Sequence, residues 1–230
     1  VGHWDWPDMG FDTGNPLSNA WHHIAATFDR SIERVYVDGR LSSIEGKHLD
    51  LWPWDAFVIG ASQNAAMDNV EASFTGSLGA VRLHGEALSG PAVATNYLND
   101  NVIYGQTGAA DDAYWTNAGT ADWSDDASWA GGVAPTGRTV IVGNGGTVAI
   151  NGAATARMTV VERGRLRIDG GSLTAGFQTV IGAGAGNDAR LDVNAGSFVR
   201  NGANLTIVGE TDSTGTVAVA AGAAIDVQVG

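Results

Sequence analysis

Apolar and polar positions alternate with period two along most of the chain, and a helical period is nearly absent. "HHIAATFD" (22–29) alternates and ends at a turn, and "RVYVDG" alternates again up to Asp38-Gly39, a hairpin dipeptide. "AFVIGAS" (56–62) and "GSLGAVRLHG" (76–85) predict two further strands. One helical turn is expected at "SGPAVATNYL" (89–98), where Ser89 can cap and Pro91 sits early.

The second half repeats itself. "GRLRIDGGSL" (164–173), "ARLDVNAGSF" (189–198) and "GTVAVAAGAAI" (215–225) share apolar-x-apolar, two spacers, Gly, a small residue and an apolar residue. Gly171, Gly196 and Gly222 fall 25 and 26 residues apart. A second element, "TVIGAGAGNDA" (179–189) and "TIVGETDSTG" (206–215), precedes two of the copies, and "TVIVGNGGTVAI" (139–150) is an earlier, imperfect one. Each unit is too small to bury its own apolar face, so units must stack in register to make one core. The pattern predicts a right-handed parallel β-helix or related β-solenoid. An antiparallel sandwich of similar hairpins is the alternative.

Composition narrows the function classes. The chain has 230 residues, 12 Lys+Arg against 25 Asp+Glu, a net charge of −13 and no Cys. Scattered basic residues in so acidic a chain argue against nucleic acid as a partner. The missing Cys excludes disulfides and thiolate sites. No apolar run reaches the length of a membrane span, and Val1 follows no charged leader. The sequence is therefore expected to be a mature product or a piece of something longer.

The order W-H-x-I-A-x-T-F-D (21–29), V-Y-V-D-G (35–39), I-G (59–60), F-x-G-x-L (74–78) and A-L-S (87–89) before a short helix resembles the laminin G-like, concanavalin A-like jelly roll in its pentraxin-related form. The family domain is longer, so the resemblance implies that Val1 begins inside it or that the domain is reduced. It also implies calcium near the segment after I-G. The position-matched donors there are Ser62, Gln63 and Asn64, with Asp68 and Glu71 farther along; a solvated acidic loop is the other reading. Independently, "HWDWPD" and "LWPWDAF" place Trp4 with Trp6 and Trp52 with Trp54 on shared strand faces. With Asp55 beside them these could stack on and hydrogen-bond a sugar, or they could plug the core.

His22 and His23 are adjacent, so in a strand they point to opposite faces and do not easily share a metal. Residues 114–150, with Trp123, Trp129, Gly132 and Pro135, resemble the Trp-rich lead-in of β-solenoid segments in autotransporter-like and PEP-CTERM-type bacterial surface proteins. The resemblance implies an exported, non-catalytic region whose Trp residues cap the first coil. Asp169 and Asp192 read as equivalent repeat positions, as do Arg165 and Arg190. Two carboxylates one strand spacing apart would suit a retaining glycosidase, but a solvated polar ladder is the favoured reading.

The expected fold is all-β, an antiparallel jelly-roll sandwich followed by a short parallel β-helix or β-solenoid. Residues 1–104 form the jelly roll, N-terminally incomplete; 105–113 link it to a β-solenoid at 114–230 with repeats of about 25 residues, continuing beyond the chain end. The expected function is a secreted or cell-surface bacterial adhesion module, not an enzyme, that binds carbohydrate or another surface ligand, with Ca²⁺ as a candidate cofactor. The alternatives are a self-associating subunit of a surface fibre or layer, and an accessory region of a polysaccharide-degrading enzyme.

Overall fold

The computed structural model describes residues 20–46, 59–63, 70–104, 112–201, 206–209 and 213–228. Trp4, Trp6, Trp52, Trp54, Asp55, Asn64 and Asp68 lie outside the described residues, as does 105–111 of the expected linker. In chain order the first strands are β1 Ile24–Phe28, β2 Ile32–Val37, β3 Arg40–Gly46, β4 Ala61–Gln63 and β5 Val70–Ser73, followed by helix α1 Gly90–Tyr104. Next come β6 Ala113–Tyr114, β7 Thr120–Asp122, β8 Arg138–Val142, β9 Thr147–Ile150, β10 Ala153–Val161 and β11 Gly164–Ile168. The last are β12 Ser172–Ala175, β13 Thr179–Ile181, β14 Asp188–Val193, β15 Ser197–Asn201, β16 Thr206–Val208, β17 Thr214–Val219 and β18 Ala224–Gln228.

The chain is mostly β, with antiparallel strands first and parallel strands after. β1, β2 and β3 form an antiparallel sheet in that order, and β4 pairs with β5 as a separate hairpin. Asp38 and Gly39, at φ 52° and 75°, make the tight β2–β3 turn that their sequence predicts. "GSLGAVRLHG" departs from expectation: residues 76–85 form no strand and lie exposed. Among the described residues it has no cross-strand partner, and its glycines do not favour an extended chain. The expected single helical turn runs instead to 15 residues. Its start is as predicted, with the Ala92 N–H donating to Ser89 Oγ at 3.4 Å.

β6, β7 and β8 alternate between two strand faces, and from β9 onward the chain visits three faces in turn and returns to the first, one rung on. The first face stacks β7, β9, β11, β14 and β17, every pair parallel. The second stacks the start of β10 with β12, β15 and β18. The third stacks β6, β8, the end of β10, β13 and β16. Register partners Thr147, Arg165, Arg190 and Thr216 are spaced 18, 25 and 26 residues. The first interval is short because β10 serves two faces in one strand, bending at the register shift between Ala156 and Met158.

The apolar residues of these strands meet inside. Val148, Leu166, Leu191 and Val217 lie in register on the first face, and Ile150, Ile168, Val193 and Val219 beside them. All but the last rung's are buried with Leu173, Ile181 and Phe198 in one core. Each such side chain contributes about 1.5–3 kcal/mol when fully buried. Trp115, Trp123 and Trp129 join the first-rung end of that core. Trp129 sits edge-on to both others, with ring centroids at 4.9 Å and 5.3 Å. The Trp129 Nε1–H donates to Trp123 O at 2.8 Å, and the Trp123 Nε1–H to Pro135 O at 3.1 Å.

The third face is covered on its outer side too. Ile141, Met158, Val160 and Val180 pack there against Ile32, Tyr36, Leu41 and Ile44 of β2 and β3, with Val93 of α1. A parallel strand buried on both faces needs a continuous apolar run, which is what "VIV" and "TVV" supply. Polar links tie the two layers: Arg34 pairs with Glu162 at 2.8 Å, Gln178 Nε2 donates to Ile44 O at 3.2 Å, and the Leu41 N–H donates to Asp112 Oδ2 at 2.7 Å.

Candidate functional site

The β1–β2 hairpin carries the two histidines, and the structure gives them separate partners. His22 Nδ1 lies 2.9 Å from Asp38 Oδ2, while the His23 N–H donates to Asp38 Oδ1 at 3.0 Å. One turn carboxylate thus clamps the chain that enters β1. His23 turns its ring toward α1, 6.1 Å from Tyr97. Burial pushes its pKa below the usual histidine value, against the opposing pull of Asp100. Asp100 is itself held by Arg82 through two hydrogen bonds of 2.7 Å, which keep its carboxyl below the ordinary range. The adjacent histidines do not converge, as strand geometry requires.

Among the described residues, no three His, Asp or Glu side chains gather as a metal centre would need. Of the sequence-derived calcium donors, Gln63 ends β4 and Glu71 lies in β5, and Gln63 pairs with Val70 across an irregular register. Residues 63–71 carry two carboxylates, Asp68 and Glu71, and three amides, Gln63, Asn64 and Asn69, against the six to eight oxygens, several anionic, that a calcium ion takes; residues 64–69 lie outside the described residues.

The outer face of the first parallel sheet is the other polar constellation. Register corrects one expectation here: Asp192 stands opposite Arg167, and Asp169 falls in line with Asn194, so the two aspartates are not equivalent. The Asp192 side chain, 2 % exposed, accepts from Arg190 Nε at 2.6 Å and from Arg165 Nε. Asp169 accepts from Arg167 Nε at 2.6 Å and from Asn194 Nδ2 at 2.9 Å. Burial pushes the Asp169 carboxyl up, but those donors outweigh it and hold the group low. Both carboxylates are thus taken up by arginine and amide donors, which disfavours their pairing as the acid and nucleophile of a glycosidase. Arg165 and Arg190 do align, as the repeat predicts. The buried ion triad escapes sequence reading, since a two-residue offset separates "RLRID" from "RLDVN".

Residues 4–94 match the family model described as the concanavalin A-like lectin/glucanases superfamily. That class spans carbohydrate binders and carbohydrate-cleaving enzymes, and the match covers about two-fifths of the chain. The matched stretch takes in the β1–β3 sheet, the β4–β5 hairpin and the start of α1; the parallel rungs lie outside it. Comparison with curated proteins found no match, and comparison with solved structures found none.

Proposed function

We propose that the chain is a non-catalytic carbohydrate-binding or adhesion module of a secreted or cell-surface bacterial protein, in which a concanavalin A-like jelly roll is carried by a short, rigid β-solenoid. The observation that supports it most is the match over residues 4–94 to a lectin-containing class. The in-register parallel rungs support the rigid carrier, since every rung is fixed by its neighbours. The packing of β2 and β3 on the third face supports a fixed attachment of the antiparallel part to the stack. In this reading Trp4 with Trp6 and Trp52 with Trp54 form sugar platforms, and Asp55 binds hydroxyls.

Glycan-array binding of the full chain tests it. The expected result is recognition of a defined set of glycans, lost on Trp52→Ala or Trp54→Ala while the fold is kept. Binding unchanged in both variants would remove the platform, and no binding to any glycan would remove the reading. Calcium at 63–71 is a separate proposal, checked by calorimetry with calcium alone; no step of the binding scheme depends on it.

A second reading is a surface fibre or layer joined through β-edges. It draws on the exposed apolar side chains of Val208, Val219 and Ile225 in β16, β17 and β18, each two-fifths or more exposed. Sedimentation velocity over a range of concentrations separates the two, because only this reading requires growing assemblies without ligand.

A further inference from the structure

We propose a second binding site, for acidic polysaccharide, on the outer face of the first parallel sheet, where Arg165 and Arg190 together receive one carboxylate or sulfate group of the polymer. The two arginines are register partners on β11 and β14, so their backbones are about 4.8 Å apart. Like charges placed directly opposite repel, and Asp192 beneath them is what permits the arrangement. That single carboxylate accepts from the Nε of both. Two guanidinium groups therefore share one hydrogen-bonded carboxylate.

The remaining donors are what make this a site. A guanidinium has five N–H groups, and each of these two uses only its Nε. Among the described residues, the terminal nitrogens of both make no hydrogen bond. Their side chains are 39 % and 47 % exposed, while the aspartate that orients them is buried. Two planar, prealigned forks pointing at solvent suit a planar carboxylate or a tetrahedral sulfate ester.

Basic side chains are concentrated here. Arg163, Arg165, Arg167 and Arg190 are four of only 12 basic residues in the chain. With Asp122, Asp169, Asp188 and Asp192 on or beside the same face, the local charge is balanced in a chain of net −13. The register neighbours on the same outer face are Thr147, Ala149, Thr216 and Ala218, all small. The surface is thus open and flat. A free small anion gains little on such a face, whereas a polymer presents its charged group repeatedly and can lie across the rungs.

Titration of the full chain with polygalacturonate, dextran sulfate and neutral dextran is the test. The expected result is binding of at least one acidic polymer, weakened by added salt, with neutral dextran inert. Arg165→Gln and Arg190→Gln should each weaken it about tenfold, and Arg30→Gln, in a distant turn, should leave it unchanged. Carboxylate-only or sulfate-only binding identifies the group, and either supports the site. In the unmutated chain the Nε–H resonances of Arg165 and Arg190 should move on adding the polymer while that of Arg34 stays, a readout that survives if a variant fails to fold. Still resonances, equal binding of the variants, or no preference over dextran would overturn it. Trp52→Ala leaves this binding intact, so its failure is distinguishable from failure of the sugar-platform reading.

Discussion

Gly196→Ala against Gly222→Ala isolates the close approach of successive rungs. The two glycines lie in the same corner of successive rungs, Gly222 one residue before the register partner of Gly196 in a loop one residue longer, and share the same φ of +86°. Any penalty for a left-handed residue, about 1–2 kcal/mol, is common to both, as is the entropy that alanine removes from the unfolded chain. Only the surroundings differ. A Cβ on Gly196 would fall 1.9 Å from Gly171 O, whereas one on Gly222 meets nothing within 4 Å. The Gly171 carbonyl accepts from the Ser197 N–H at 3.1 Å, so moving it aside also breaks a rung-to-rung hydrogen bond. Overpacking costs about 1–3 kcal/mol, and an orphaned buried backbone group costs about the same again. Gly196→Ala should therefore destabilise by about 2–6 kcal/mol more than Gly222→Ala. For a chain of this length that is a further drop in Tm of roughly 5–15 °C. Guanidinium unfolding followed by tryptophan fluorescence gives the comparison, since Trp115, Trp123 and Trp129 all lie in the stacked core. Equal costs for the two variants would refute the close-packed corner.

Two further outcomes follow from the layer contact and the hairpin. Arg34 and Glu162 join the antiparallel sheet to the third face, with side chains only 13 % and 25 % exposed; a cycle of Arg34→Met and Glu162→Gln should show about 1–2 kcal/mol of coupling in urea unfolding, and additive effects would mean that the pair does not hold the layers. His23 has a folded-state pKa below 6.5, so the unfolded chain binds more protons as pH falls beneath that value; its contribution is complete above pH 6.5 and is lost from there down to the lowered pKa. Thermal melts of the unmutated chain should fall more steeply with acid in that window than those of His23→Gln, and parallel curves would show that His23 does not titrate there.

How much of this was legible depends on the range of the interactions. "RVYVDG" became β2 and its turn because alternation and an Asp-Gly dipeptide act over neighbouring residues. The parallel rungs were legible because each repeats the same short strand and the same glycine. By contrast, "GSLGAVRLHG" alternates yet makes no strand, since alternation alone supplies no partner for its backbone groups. The candidate platforms at Trp4, Trp6, Trp52 and Trp54 lie outside the described residues, while the arginine pair was seen only as an alignment. Its buried counter-ion depended on which residue of β14 stands opposite Arg167.

The amino-acid sequence alone determined that strands dominate, that the later ones must stack, and that tryptophans gather at the start of the stack. Those are consequences of side-chain period, rung size and local turn chemistry, each written within about one repeat. The tertiary structure decided that the third face is covered twice, that the antiparallel sheet lies along it, and that one aspartate anchors two arginines. Arg34 and Glu162 are 128 residues apart, and Gln178 and Ile44 are 134 apart. No periodicity connects positions so distant; they meet because an apolar outer face and an apolar sheet both leave water most completely by closing on each other.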